Sequence, residues 1–87
     1  MRATINGKWV TDRESLHTLL RTKLCLSEDC GRNLDAVYDA LTTPGKDRIL
    51  IIKNEALLTQ RLGDYAERFL RMLEDAAESG HVKLLRK

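Results

Sequence analysis

The sequence predicts an α/β fold in which a three-stranded parallel sheet packs against about four helices. Short β-leaning or apolar runs stand at 2–5, 49–52 and 81–85, with stretches of helical periodicity between them. Strands separated by helical crossovers pair in parallel, through right-handed connections. At 87 residues, 43% of them hydrophobic and 32% charged, the chain suits one small domain, expected to span 1–87.

The elements follow in order. Arg2-Ala3-Thr4-Ile5 is short and β-leaning, and Asn6-Gly7 is a turn signal. Lys8-Trp9-Val10 either extends that strand past the turn or pairs back on it. Thr11-Asp12-Arg13-Glu14 reads as a capping box with Thr11 at the N-cap and Glu14 at the third helical position. Leu16, Leu19, Leu20 and Leu24 then recur at spacings of three and four, which predicts a helix from about Asp12 to Leu24. Residues 25–33 form a polar connection containing Gly31. Asn33 suits the N-cap of a second helix through Leu41 or Thr42, ended by Pro44-Gly45. Ile49-Leu50-Ile51-Ile52 is a continuous run that fits a strand covered on both faces, or nearly so. A short helical turn is expected over Glu55–Gln60. Leu62, Ala66, Phe69, Leu70, Leu73, Ala76 and Ala77 trace a longer helix from Gly63 or Asp64 that stops at Gly80. His81-Val82-Lys83-Leu84-Leu85 closes the chain as a strand.

Composition narrows the function. Fifteen Lys and Arg against thirteen Asp and Glu leave a net charge of +2, without the clustered excess of a dedicated nucleic-acid binder. The calculated pI near 8.7 keeps that class open only if Arg13, Arg21 and Lys23 join Arg2 or Lys8 in one patch. No apolar run reaches the roughly 18–20 residues needed to cross a bilayer, and no signal-peptide core is present, so a cytoplasmic location without membrane contact is expected. Cys25 and Cys30, five residues apart, match neither a CxxC pattern nor a disulfide framework and read as free thiols. Neither a metal site nor a cofactor is expected. No nucleophile–base pair or Gly-rich phosphate loop is visible, which argues against an enzyme.

The informative segment is the second helix. At about 100° per residue, Leu34, Val37 and Leu41 fall within an arc of about 60°, the core face. Asp35 and Asp39 lie about 40° apart and well away from that face, with Tyr38 on the shoulder. Like charges four residues apart oppose a helix slightly, and an anion in its second half opposes the macrodipole. Helix stability alone does not select this arrangement. It fits an ordinary solvated acidic face, a recognition face for a cationic partner, or paired carboxylates for hydrolysis. An exposed pair lacks the desolvation that separates two carboxyl groups into acid and base roles.

The run Cys30-Gly31-Arg32-Asn33-Leu34-Asp35-Ala36-Val37-Tyr38-Asp39-Ala40-Leu41-Thr42 resembles the barstar family of intracellular ribonuclease inhibitors. Ile5-Asn6-Gly7, Leu16-His17, Leu24-x-Leu26 and the order of the C-terminal elements are also similar, so the resemblance covers essentially the whole chain. It implies a barstar-like fold and a 1:1 complex with a small extracellular-type ribonuclease or a nuclease toxin domain. The second helix and the preceding loop would enter the cleft and mimic substrate phosphate. Asp39 would be the central mimic, and Asp35 would accept from backbone donors and a cation. Gly31 and Asn33 would shape the start of the helix, and Tyr38 would pack. Asp29, Thr42 and Asp75 complete the expected partner-binding set. The free protein is expected to be a monomer, and a toxin–antitoxin or immunity role follows. A barstar-fold module binding some other cationic partner is the alternative.

The chain departs from the family at Asp29, Cys30 and Pro44, where aromatic residues are usual, and at Ser79, where a carboxylate is. Between Leu26 and Thr43 stand four acids and one base, a local charge of −3 that leaves +5 for the rest of the total of +2. Trp9 is expected to pack at the sheet margin, and His17 to be partly buried at the edge of the first helix. Arg68 and Arg71 are expected to form exposed pairs with Glu67, Glu74 and Asp75.

Overall fold

The computed structural model describes residues 2–24, 31, 33–43 and 47–87. Its elements run β1 (Arg2–Asn6), a 3-10 turn (Gly7–Trp9), α1 (Arg13–Lys23), α2 (Leu34–Leu41), β2 (Arg48–Lys53), α3 (Glu55–Leu62), α4 (Asp64–Glu78) and β3 (Val82–Arg86). The strands form one sheet in the order β1-β2-β3, parallel throughout, as the crossovers require. Ala3 pairs with Leu50 and Leu50 with Leu84, so side chains of one parity share a face. On it Ala3, Ile5, Leu50, Ile52 and Val82 are buried, whereas Ile49 and Ile51 on the opposite face are only half-buried.

That inner face packs with Leu16 and Leu20 of α1, Val37 and Leu41 of α2, and Ala66, Phe69, Leu73 and Ala76 of α4 in one apolar cluster. Phe69 is the largest of its fully buried side chains. α1 lies beside β1, α2 against α4, and α4 against β3. The helix-period stripes read from the sequence are therefore the core contacts.

Several local expectations shift. The capping box at α1 is one residue later than the Thr11/Glu14 pair. Asp12 is the N-cap and its Oδ1 accepts from Ser15 N at 2.7 Å, while Ser15 Oγ accepts from Asp12 N at 3.0 Å. Lys8 and Trp9 neither extend β1 nor pair back on it. Their segment coils into the 3-10 turn because Asn6 Oδ1 accepts from Lys8 N at 2.9 Å and Val10 N returns to the Gly7 carbonyl. Trp9 does not pack at the sheet margin; it is 51% exposed, with Lys23 Nζ 5.1 Å from its ring centre. α3 extends to Leu62 as a full helix, and β3 starts at Val82 rather than His81. α4 ends as expected, with Gly80 at a φ of 90° that a side chain would strain.

Distant residues hold the β1 exit in place. Asn54 Nδ2 donates to Asn6 Oδ1 at 2.8 Å, and Arg61 Nη1 reaches the carbonyls of Gly7, Lys8 and Val10 at 3.1, 3.1 and 2.9 Å. Gly7 is buried here, and a Cβ at its position would collide with the Asn54 carbonyl oxygen and stand 3.2 Å from Leu57 Cβ. Gly7→Ala is therefore expected to cost about 1–3 kcal/mol, as overpacking does. Urea denaturation measures this, and an unchanged midpoint would show that the Asn54 segment yields freely. At the same end of the sheet but on its opposite edge, Arg86 joins Glu55 at 3.0 Å and Glu74 at 2.8 Å, tying β3 to α3 and α4. These half-exposed pairs are each worth about 1 kcal/mol or less.

Candidate functional site

α2 has only eight residues, too short to be stable alone, so its ends matter. At its start Asn33 Oδ1 accepts from Ala36 N at 2.8 Å, the predicted cap. At its finish the hydroxyls of Thr42 and Thr43 donate to the Tyr38 and Asp39 carbonyls, both at 2.9 Å. Arg48 Nη1 donates to the Ala40 carbonyl at 2.7 Å. Arg48 is 8% exposed, and its Nε has no hydrogen-bond partner among the described residues. A buried guanidinium is costly, and here its charge sits where the helix dipole is negative. Sequence reading missed this residue, because its charge suggested the surface.

With Leu34, Val37 and Leu41 buried, α2 turns Asp35 and Asp39 outward, both exposed. Neither carboxylate has an ion-pair or hydrogen-bond partner among the described residues. Tyr38 is half-buried against the core. Gly31 is exposed just before the cap, where an added Cβ would stand 3.0 Å from Asn33 Nδ2. Asp29 lies outside the described residues, as do Cys25, Cys30 and Pro44.

Between α2 and α4 runs an open cleft of about 360 Å³, lined by Leu34, Asp35, Tyr38, Arg68, Arg71, Met72 and Asp75. It brings Asp75 together with Asp35 and Tyr38. Asp39 and Thr42 lie farther along α2 and do not line it. The pairs expected within α4 do not form among the described residues, and Glu74 turns instead to Arg86. Arg68 and Arg71 in the cleft were not foreseen, although their spacing with Asp75, three and then four residues, puts all three on one helix face.

A second cleft, of about 380 Å³, is lined by Arg13, Glu14, His17, Asn33 and Tyr65. Tyr65 is buried, with its hydroxyl on His17 Nε2 and the guanidinium carbons of Arg13 and Arg68 at 4.5 and 5.7 Å from its ring centre. His17 is thus more fully buried than expected, at 6% exposed. Arg13 and Lys23 lie over different rings, Tyr65 and Trp9. Burial raises the Tyr65 pKa above its ordinary 10.0, although the two arginines pull it down. The fold therefore favours the neutral phenol. That contribution is complete below about pH 10 and is lost as pH rises through the higher folded value. Thermal melts from pH 8 to 12 should show an alkaline loss of stability that Tyr65→Phe reduces. Parallel profiles for the two proteins would exclude Tyr65 as its source.

No group of His, Cys, Asp or Glu that could hold a metal ion occurs among the described residues. No described helix is long and apolar enough to cross a membrane. The family described as "Barstar (barnase inhibitor)" matches residues 1–84. A Bacillus subtilis (strain 168) protein named "Putative ribonuclease inhibitor YrdF" is 36% identical over 75 residues, covering 85% of this chain and 82% of that protein.

Proposed function

Because this chain belongs to the barstar family, we propose that it is an intracellular protein inhibitor of a small ribonuclease, acting on a nuclease active site through α2 and the loop before it. The observation that carries this reading is the exposed pair Asp35 and Asp39, free of partners among the described residues, on a helix held at both ends. A ribonuclease cleft must be cationic to bind phosphate, so carboxylates presented without internal partners can take the place of substrate phosphate.

Asp39 is the central mimic, and Asp35 accepts from backbone donors and a neighbouring cation. Tyr38 supplies packing area, while Asn33 and Gly31 set the direction in which α2 begins. Thr42 and Asp75 border the contact, and Asp29 belongs to the same proposed partner-binding set. The complex is 1:1 and needs no cofactor. Protection of the producing cell from a nuclease toxin is the corresponding biology.

Titration of the purified chain into RNA-cleavage assays of small ribonucleases, barnase among them, tests this. Inhibition should reach its end point at one chain per enzyme, with association slowing as salt rises. A chain that inhibits none of them, or inhibits with no salt dependence of association, would remove the active-site reading.

A further inference from the structure

We propose that Arg68 and Arg71 are a specificity contact: they receive carboxylates that the target ribonuclease carries beside its cationic cleft. This rests on the inhibitor reading and adds the chemistry of the partner surface. Both arginines are exposed and line the α2–α4 cleft with Asp35 and Asp75. None of these four joins an ion pair with another among the described residues. Arg71 has no polar or ring partner there at all, and Arg68 has only the Tyr65 ring at 5.7 Å. The cations are therefore not consumed by the neighbouring acids.

The floor between them is apolar, built from buried Leu34 and Met72 and half-buried Tyr38. An apolar floor under a rim of mixed charge suits a partner segment of matching mixed charge. A surface wholly cationic around its active site would meet Asp35 and Asp39 well but would press against Arg68 and Arg71. Like charges brought together at an interface reject a partner. Carboxylates opposite the arginines remove that penalty, and the planar guanidinium fork binds them with two parallel hydrogen bonds. The cleft thus combines attraction through α2 with a filter on α4.

The test uses purified small ribonucleases, barnase included, that differ in the charge bordering the active site. The wild-type chain should inhibit best an enzyme with carboxylates at that border. Arg68→Glu/Arg71→Glu should weaken inhibition of that enzyme by at least about tenfold, and should improve inhibition of enzymes with cationic borders. Arg71→Glu alone leaves the Tyr65 stack intact and should shift both in the same directions, which separates recognition from any loss of fold. Unchanged or tighter inhibition of the best-bound enzyme by Arg71→Glu would overturn the inference. The inhibitor reading would survive that result if Asp39→Ala still failed to inhibit, whereas an Asp39→Ala protein that inhibits normally would remove both.

Discussion

Asp35→Ala/Asp39→Ala is expected to lose ribonuclease inhibition by at least about 30-fold, the scale of an interface hot spot, while the protein becomes slightly more stable. The two effects have opposite signs for one reason. Both carboxylates are exposed and unpartnered among the described residues, so their removal breaks no internal contact. It relieves like-charge repulsion at a spacing of four residues, roughly a few tenths of a kcal/mol, takes an anion from the latter half of α2 and gains the helix propensity of alanine, which together outweigh the loss of Asp35 from the first turn. In the proposed complex the same groups face desolvated cations, and their loss leaves those cations buried without partners. Glu78→Ala, an exposed acid in the last turn of α4, should leave inhibition unchanged. Inhibition constants paired with urea denaturation check both halves. Weakened inhibition accompanied by a destabilised fold would assign the aspartates a structural role instead.

Phe69→Ala is expected to cost about 3–5 kcal/mol, the usual penalty for truncating a buried phenylalanine. Phe69 is fully buried in the cluster that joins α4 to Ile5, Leu41 and Leu50. The void cannot close easily, because residues from two helices and two strands would have to move together. Small domains are commonly stable by only about 5–15 kcal/mol, so one side chain represents a large share. The melting temperature should fall by roughly 12 °C or more, at about 4–8 °C per kcal/mol for a chain of this size. A loss below about 1 kcal/mol would mean that the core relaxes around the cavity.

Most of the architecture was legible because it rests on local periodicity. The spacings of Leu16/Leu20, Leu34/Val37/Leu41 and Phe69/Leu73/Ala76 each identified a helix, and each stripe is buried. Asn33 was legible as a cap because its side chain acts within its own turn. The α1 cap slipped by one residue because Thr11 and Asp12 are both competent N-caps, and Ser15 serves the reciprocal role as well as Glu14 would.

What could not be read depends on residues distant in sequence. Trp9 is exposed because the 3-10 turn fixed by Asn6, Asn54 and Arg61 carries it off the sheet. The acidic half of the candidate site could be picked out within α2. The Arg68–Arg71 half emerges only when α4 is laid against α2, a juxtaposition that no local pattern encodes.

Arg48 has a consequence for association itself. A free eight-residue helix would fray, and a partner capturing it would first have to order it. Here the Asn33 cap closes one end of the helix, while the Arg48 guanidinium at the other end and the buried Leu34, Val37 and Leu41 fix α2 to the body of the protein. The entropy of ordering this segment is thus spent during folding and would not be charged again in the proposed complex. In the proposed complex a ribonuclease would meet an α2 that is already ordered, with the speed of its capture set by diffusion and charge.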